Sequence, residues 1–341
     1  MNFRQLETTI KKEGMRSFYL FSGPEEYLKE EMVYRILYYL KRKGREFYLE
    51  KIDGSAATLQ ELMQGMEQIT IFSQGRLMFV ENPPYFSRSG GDKGKNSLNQ
   101  QLEKDFLAML NKEASDTVMI FSVPEVDKRR KLIKAVEKAG ALIEFPLLKG
   151  NTLLKWIRKE LDKENKGIEE EALSELVRRT GENLRLIKAE LDKIKIYTLH
   201  EEKITTNIIR LLVPYGRSGN IFNLVGAVGR KNLKEALFHF HKMREQNEPP
   251  LVILSMIVRQ FRLLFRCRVM IENNKTKAEI MEALKLPSFV VNDLCEQVRN
   301  YNKHYLAEIF LLLKESDLAI KRGKRDAEEE IEQLILKLTA V

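Results

Sequence analysis

Three stretches of this 341-residue chain can be tested for the residues that phosphate chemistry requires. A phosphate loop needs glycines that expose backbone N–H groups after the first strand, a Lys for the phosphates and a Ser or Thr for the metal. The first expected turn reads Phe21-Ser22-Gly23-Pro24-Glu25-Glu26-Tyr27, with one glycine, no Lys and two carboxylates where phosphate would lie. Like charge there is repulsive, so no nucleotide is expected at this turn. Gly91-Asp92-Lys93-Gly94-Lys95-Asn96 has the wrong glycine spacing, Asn96 in the Ser/Thr position and no first strand before it. It reads as a solvated loop. Glu81-Asn82-Pro83 ends an expected strand on a lone acid, where an ATPase carries a pair.

Other chemistries find little support. The sequence holds no HExxH, no GxSxG and no metal-spaced acids. His239 and His241 are two apart, so on a helix they diverge and cannot share a metal. His200 and His304 have no nearby ligands. Cys267 and Cys295 form no CxxC, which suits a reducing cytosol and argues against structural zinc. Glu328-Glu329-Glu330 reads as a wet helix face. No cofactor and no metal are expected.

The elements that would position these residues alternate in the first third. Strands are expected at Ser17 to Phe21, Phe47 to Ile52, Leu77 to Val80, Thr117 to Phe121 and Ala141 to Phe145. Helices are expected at Glu25 to Leu40, after Thr58, at Leu98 to Leu110 and at Lys128 to Ala139. This alternation predicts a parallel sheet with helices on both faces. Within it, Ile69-Thr70-Ile71-Phe72-Ser73-Gln74-Gly75-Arg76 joins the Thr58 helix to a buried strand. Thr58 reads as an N-cap with Glu61 three residues on. Ile71 and Phe72 sit where a polar turn is expected. They read either as core tucked under the helix or as an apolar plug for a partner's pocket.

After Pro146 the strand signals stop. Asn151 reads as the N-cap of a helix through Glu160, with Trp156 as core; Glu169 to Thr180 and a helix from Asn183 follow. Pro214-Tyr215-Gly216-Arg217-Ser218-Gly219 reads as a linker. Helices are then expected at Ile221 to Gly229, Leu233 to Glu245, Pro249 to Glu272, Lys277 to Leu284, Ser288 to Asn300, Lys303 to Lys321 and Ala327 to Leu338. Arg259, Arg262 and Arg266 share one helix face. That stripe is either solvated and subunit-facing or turned toward DNA.

Composition sets wide bounds. The chain is 43% hydrophobic and 31% charged, enough for real cores. Its apolar runs are too short to span a bilayer, and MNFRQLETTIKKEG lacks an apolar signal core, so a cytoplasmic protein is expected. The net charge is +9. The excess is modest, leans to the C-terminal third and forms no free-standing DNA-binding arm.

The order of elements, the degenerate first turn, Phe72 to Asn82, and Val118-Met119-Ile120-Phe121 before Asp127-Lys128-Arg129 together resemble the delta subunit family of the bacterial DNA polymerase III clamp loader. Gly181-Glu182-Asn183-Leu184-Arg185, Glu190 to Ile194, Ile221 to Val225, Arg259 to Leu264, Pro287 to Val290 and Asp317 to Gly323 carry the resemblance through the chain. It implies an AAA+-like domain without a working phosphate loop at 1–148, a three-helix lid at 149–213 and an all-α collar at 214–341. It implies that Ile71 and Phe72 form the tip that binds the beta sliding clamp, although the family pair is commonly Leu-Phe. It further implies a hetero-pentameric ring with gamma/tau and delta-prime type subunits, and primed DNA reached through that complex. No ATPase activity of its own is implied, only membership of a DNA polymerase holoenzyme. The competing readings are an ATP-dependent AAA+ ATPase or helicase loader, which needs a working phosphate loop, and a DNA-binding scaffold resting on the basic collar.

Overall fold

The structure is a computed structural model that describes residues 3–67, 75–86, 104–108, 116–199, 201–323 and 325–340. Residues 1–147 and 148–341 form two compact units.

In the first unit five strands form one parallel sheet. They are β1 (Phe18–Ser22), β2 (Phe47–Asp53), β3 (Gly75–Glu81), β4 (Thr117–Val123) and β5 (Leu142–Glu144), in the order β2-β3-β4-β1-β5. β1 and β4 are buried at every residue, and β2, at the edge, is only half-buried. The helices are α1 (Phe3–Glu13), α2 (Glu26–Arg42), α3 (Leu59–Glu67), a helical segment α4 (104–108) and α5 (Lys131–Lys138). Successive strand residues point to opposite faces. Phe18 and Leu20 therefore join Met119, Phe121, Leu59, Leu62, Phe106 and Ile133 in one core. On the other face Phe21 packs on Phe145 at 4.7 Å, and Phe145 stacks on Phe3 of α1 at 5.5 Å. The alternation of strand and helix was readable from the sequence; α1 was not among the expected elements. Its apolar positions Phe3, Leu6 and Ile10 recur at spacings of three and four and are all buried.

The second unit is almost wholly helical. Its first part holds α6 (Asn151–Asp162), α7 (Glu170–Thr180), α8 (Leu184–Tyr197) and α9 (Thr206–Leu212). The short α9 and a parallel pair of two-residue strands, β6 (Gly167–Ile168) and β7 (Lys203–Ile204), join the three expected helices. Helix α6 is N-capped by Gly150 rather than Asn151. Trp156 is buried in its inner face, and Asn183 caps α8 by accepting from the Leu186 amide at 3.0 Å.

Seven longer helices follow: α10 (Arg217–Gly229), α11 (Leu233–Glu245), α12 (Pro250–Glu272), α13 (Lys277–Leu284), α14 (Ser288–Gln297), α15 (Lys303–Lys321) and α16 (Ala327–Thr339). α12 runs through their core with Ile253, Leu254, Ile257, Phe261, Leu264 and Cys267 turned inward. Two expectations are corrected here. Helix α10 begins at Arg217, so the second half of the expected linker is helix. Gly219 is needed for close approach, because a Cβ there would lie 2.4 Å from the Arg179 carbonyl oxygen. Arg179 also lies over the Tyr215 ring at 4.1 Å and donates to the Val213 carbonyl at 2.7 Å, so this stretch is packed rather than loose. Glu330, expected on a wet face, is buried and accepts from Ser316 Oγ at 2.7 Å and Arg325 at 2.8 Å. Gly219→Val should cost about 1–3 kcal/mol by forcing α7 and α10 apart, read as a lowered melting temperature; unchanged melting would contradict the close approach.

Candidate functional site

The turn after β1 is where a parallel sheet of this kind holds phosphate. Its donors are already engaged. The amide of Gly23 donates to Val123 O at 3.1 Å, that of Glu25 to Phe145 O at 3.3 Å and that of Glu26 to Pro24 O at 3.1 Å. Gly23 has φ +136°, and a Cβ on it would lie 2.1 Å from Phe145 O, so the turn is pressed against β5. An anion site works by aiming free N–H groups at the ligand; here two of the three are spent on neighbouring strands' ends and the third within the turn itself.

The sequence analysis found no Lys within the turn, but the spacing continues beyond it. Lys29 stands six residues after Gly23, the register of a phosphate-loop lysine, with Leu28 where the second glycine would be and Glu30 where the Ser/Thr would be. Counting on from Gly23 would have found it. Lys29 is fully buried on the first turns of α2. Its ammonium donates to Val123 O at 2.9 Å and to Glu26 Oε1 at 2.8 Å. Burial pulls its pKa below the usual lysine value, and Glu26 opposes that shift. The group that would neutralise phosphate ties α2 to the end of β4 instead. Lys29→Ala should strand the Val123 carbonyl and open a cavity, at about 2–4 kcal/mol, seen as a lower denaturant midpoint; a neutral effect would contradict a structural role.

Ile71 and Phe72 lie outside the described residues. What is described is how the chain is held on either side of them. Thr58 and Glu61 form the expected capping box at the start of α3, with Glu61 N to Thr58 Oγ1 at 3.2 Å and Thr58 N to Glu61 Oε2 at 2.8 Å. Leu59 and Leu62 anchor α3 in the core. At the far end Arg76, nine-tenths buried, donates to the Gly65 carbonyl of α3 and to Glu50 Oε2 of β2 at 3.1 Å, while its amide donates to Asp116 O at 2.6 Å. One guanidinium therefore fixes the end of α3 against two strands. Its signal in the sequence was a cation directly before the apolar run Leu77 to Val80. Arg76→Ala should loosen the last turn of α3, at about 1–3 kcal/mol, with faster amide exchange at residues 64–67 while β4 stays protected. Unchanged exchange there would contradict the assignment.

On α12 the structure leaves Arg259, Arg262 and Arg266 exposed on one face, as their spacing predicts. Arg266 reaches the Ala283 carbonyl at 3.4 Å; among the described residues neither Arg259 nor Arg262 has an ion-pair partner. His239 contacts Asn220 at 3.4 Å and His241 faces Glu332 at 3.7 Å, so the two diverge as expected. The sequence left Cys267 and Cys295 unconnected, yet α12 and α14 bring their sulfurs to 3.8 Å as free thiols. Burial pushes the Cys267 thiol up to about 12.

Residues 19–146 match the sequence model of the family described as DNA polymerase III, delta subunit, and residues 218–338 match that of its C-terminal domain. Residues 149–211 match a model described as a middle domain. The DNA polymerase III subunit delta of Bacillus subtilis is 27% identical over 333 residues, covering 97% of this chain and 95% of that protein. A probable DNA polymerase III subunit delta of Aquifex aeolicus is 22% identical over 324 residues, covering 92% and 89%. The solved structure of the Bacillus subtilis DNA clamp loader delta protein superposes with a TM-score of 0.61 at 26% identity, covering 99% of this chain and all of that one. Among the described residues no helix is long and apolar enough to cross a membrane.

Proposed function

This chain belongs to the DNA polymerase III delta subunit family, and from that premise we propose that it opens the beta sliding clamp within a bacterial clamp loader without hydrolysing ATP itself. The observation that carries the reading is the spent phosphate site. Lys29 and the amides of Gly23, Glu25 and Glu26 are bonded within the protein, while the scaffold around them is kept. A nucleotide-hydrolase fold so filled is suited to binding a protein rather than turning over ATP.

In this reading Ile71 and Phe72 form the apolar tip that enters a pocket on the clamp. The capped start of α3 and the Arg76 clasp hold the stems of the tip. Burying an Ile and a Phe side chain supplies on the order of 1.5–3 kcal/mol each. The tip opens the clamp only so far as it binds the opened form more tightly than the closed one. ATP bound by other subunits would then expose or hide it. The proposed division is an AAA+-like domain at 1–148, a lid at 149–213 and a collar at 214–341 that joins gamma/tau and delta-prime type subunits in a five-membered ring. Primed DNA would meet this ring as a whole. The exposed Arg259 and Arg262 favour a DNA-binding role for the collar as a second reading.

Ile71→Ser with Phe72→Ser should abolish capture of the sliding clamp by the full chain while its circular dichroism stays that of the wild type. Clamp binding retained by the double variant would overturn the tip assignment. Salt-sensitive duplex binding by the isolated chain, lost in Arg259→Glu with Arg262→Glu, would favour the second reading.

A further inference from the structure

Five cations gather where α1 and α2 end. Lys11 and Lys12 lie in the last turn of α1, which ends on the exposed Glu13; Lys41 and Arg42 lie in that of α2, and Lys43 follows directly. All five are exposed, and among the described residues none has an ion-pair partner. The two helices run parallel. Glu7 meets Arg35 at 3.0 Å, and Lys11, four residues further on, shares a hollow of about 390 Å³ with Tyr39, Arg42 and Lys43. Cations at helix C-termini offset the helix dipole, a gain of about 0.3–1 kcal/mol. That accounts for one or two charges per helix. It does not account for three cations from two helices around one hollow, where like charges repel. Nearby positive groups are neutralised: Arg35 by Glu7 and Glu31, and Arg45 by Asp116.

The location adds a second argument. Strand β2 starts at Phe47 directly opposite Gly75, the residue that follows the 68–74 connection. The end of α2 leads into β2 at this same edge. A partner that meets the chain where β3 begins therefore comes close to the end of α2, which carries Lys41, Arg42 and Lys43. Beside this end of α2, Tyr38 and Tyr48, 64% and 59% exposed, line a second hollow with Leu37, Lys41, Glu46 and Phe47. Exposed aromatic groups bordered by charge are the composition of a protein-binding surface. The cluster is also compact. The ion pairs of Arg35 and of Glu30 with Lys51 bound it, so it forms no stripe of the length that tracks a nucleic-acid backbone.

We propose that Lys11, Arg42 and Lys43, with Lys12 and Lys41 beside them, form an electrostatic docking rim for an acidic face of the protein that receives the 68–74 connection. This rests on the reading of that protein as the sliding clamp. The rim steers encounter, and the tip holds the complex once formed.

The test uses the full chain and the sliding clamp of the same organism, with association and dissociation followed separately at about 0.02 M and about 0.15 M salt. Lys11→Glu with Arg42→Glu and Lys43→Glu is compared with the wild type, with the Gln versions of the same three positions, and with Ile71→Ser/Phe72→Ser. The expected result is association slowed about tenfold or more at low salt by the Glu variant and less by the Gln variant, with a flattened salt dependence. Dissociation should change little. The Gln variant keeps the question decidable if charge reversal disturbs the helix ends. Wild-type rates and salt dependence in both variants would overturn the rim alone. A wild-type chain that does not bind the clamp would overturn the functional reading and the rim with it. Loss of oligothymidylate binding in the Glu variant, with clamp association unchanged, would assign the cations to nucleic acid and overturn the proposal.

Discussion

A parallel sheet admits no hairpins, and this constraint orders the first unit. Each strand must be reached by a crossover, so strand-to-helix turns gather at one edge and helix-to-strand turns at the other. The turn at Gly23 lies on the first edge. The ends of α1, α2 and α3 lie on the second, where β1, β2 and β3 begin. One sheet thus separates the place where a nucleotide would bind from the place proposed to meet a protein. The two can diverge in sequence without disturbing each other, because the strands between them are held by their own burial.

The Gly23 edge illustrates that independence. Lys29 keeps the position of a phosphate-binding lysine yet bonds Val123 O and Glu26. Removing phosphate from such a site would leave a cation and several amide donors without partners, each costly when buried. Here the partners come from β4, β5 and the first turn of α2. Gly23 pressed on Phe145 and Glu25 bonded to Phe145 O complete the filling. Groups of the kind that hold a phosphate are here used in packing.

Much of this was legible in the sequence. β1, β3 and β4 are short apolar runs because both of their faces are covered, so they stand out from any neighbouring helix. Thr58 with Glu61 announced the start of α3, and the arginine spacing on α12 announced one exposed face. Other features depend on contacts between residues far apart in the chain. The inward turn of Lys29 requires Val123, 94 residues away. Gly219 looked like linker composition because its reason is the Arg179 carbonyl packed against it. Glu330 looked like solvated charge because Ser316 and Arg325 are brought to it only by the α15–α16 hairpin. The five cations at the ends of α1 and α2 carried no signal because α1 was not expected as a helix. Ile71 and Phe72 could be singled out by composition and by resemblance, and the described structure fixes only the stems on either side of them.

The central claim is that a protein partner, not a nucleotide, is received at the edge where the helices return to the strands. Amide hydrogen exchange of the full chain, alone and with the sliding clamp, addresses it most directly. The account predicts protection on clamp binding at residues 67–75 and at the turn between α2 and β2, with the Gly23 turn unchanged by the clamp and by added ATP. Protection at the Gly23 turn on adding ATP, or clamp-induced protection confined to residues 214–341, would contradict it.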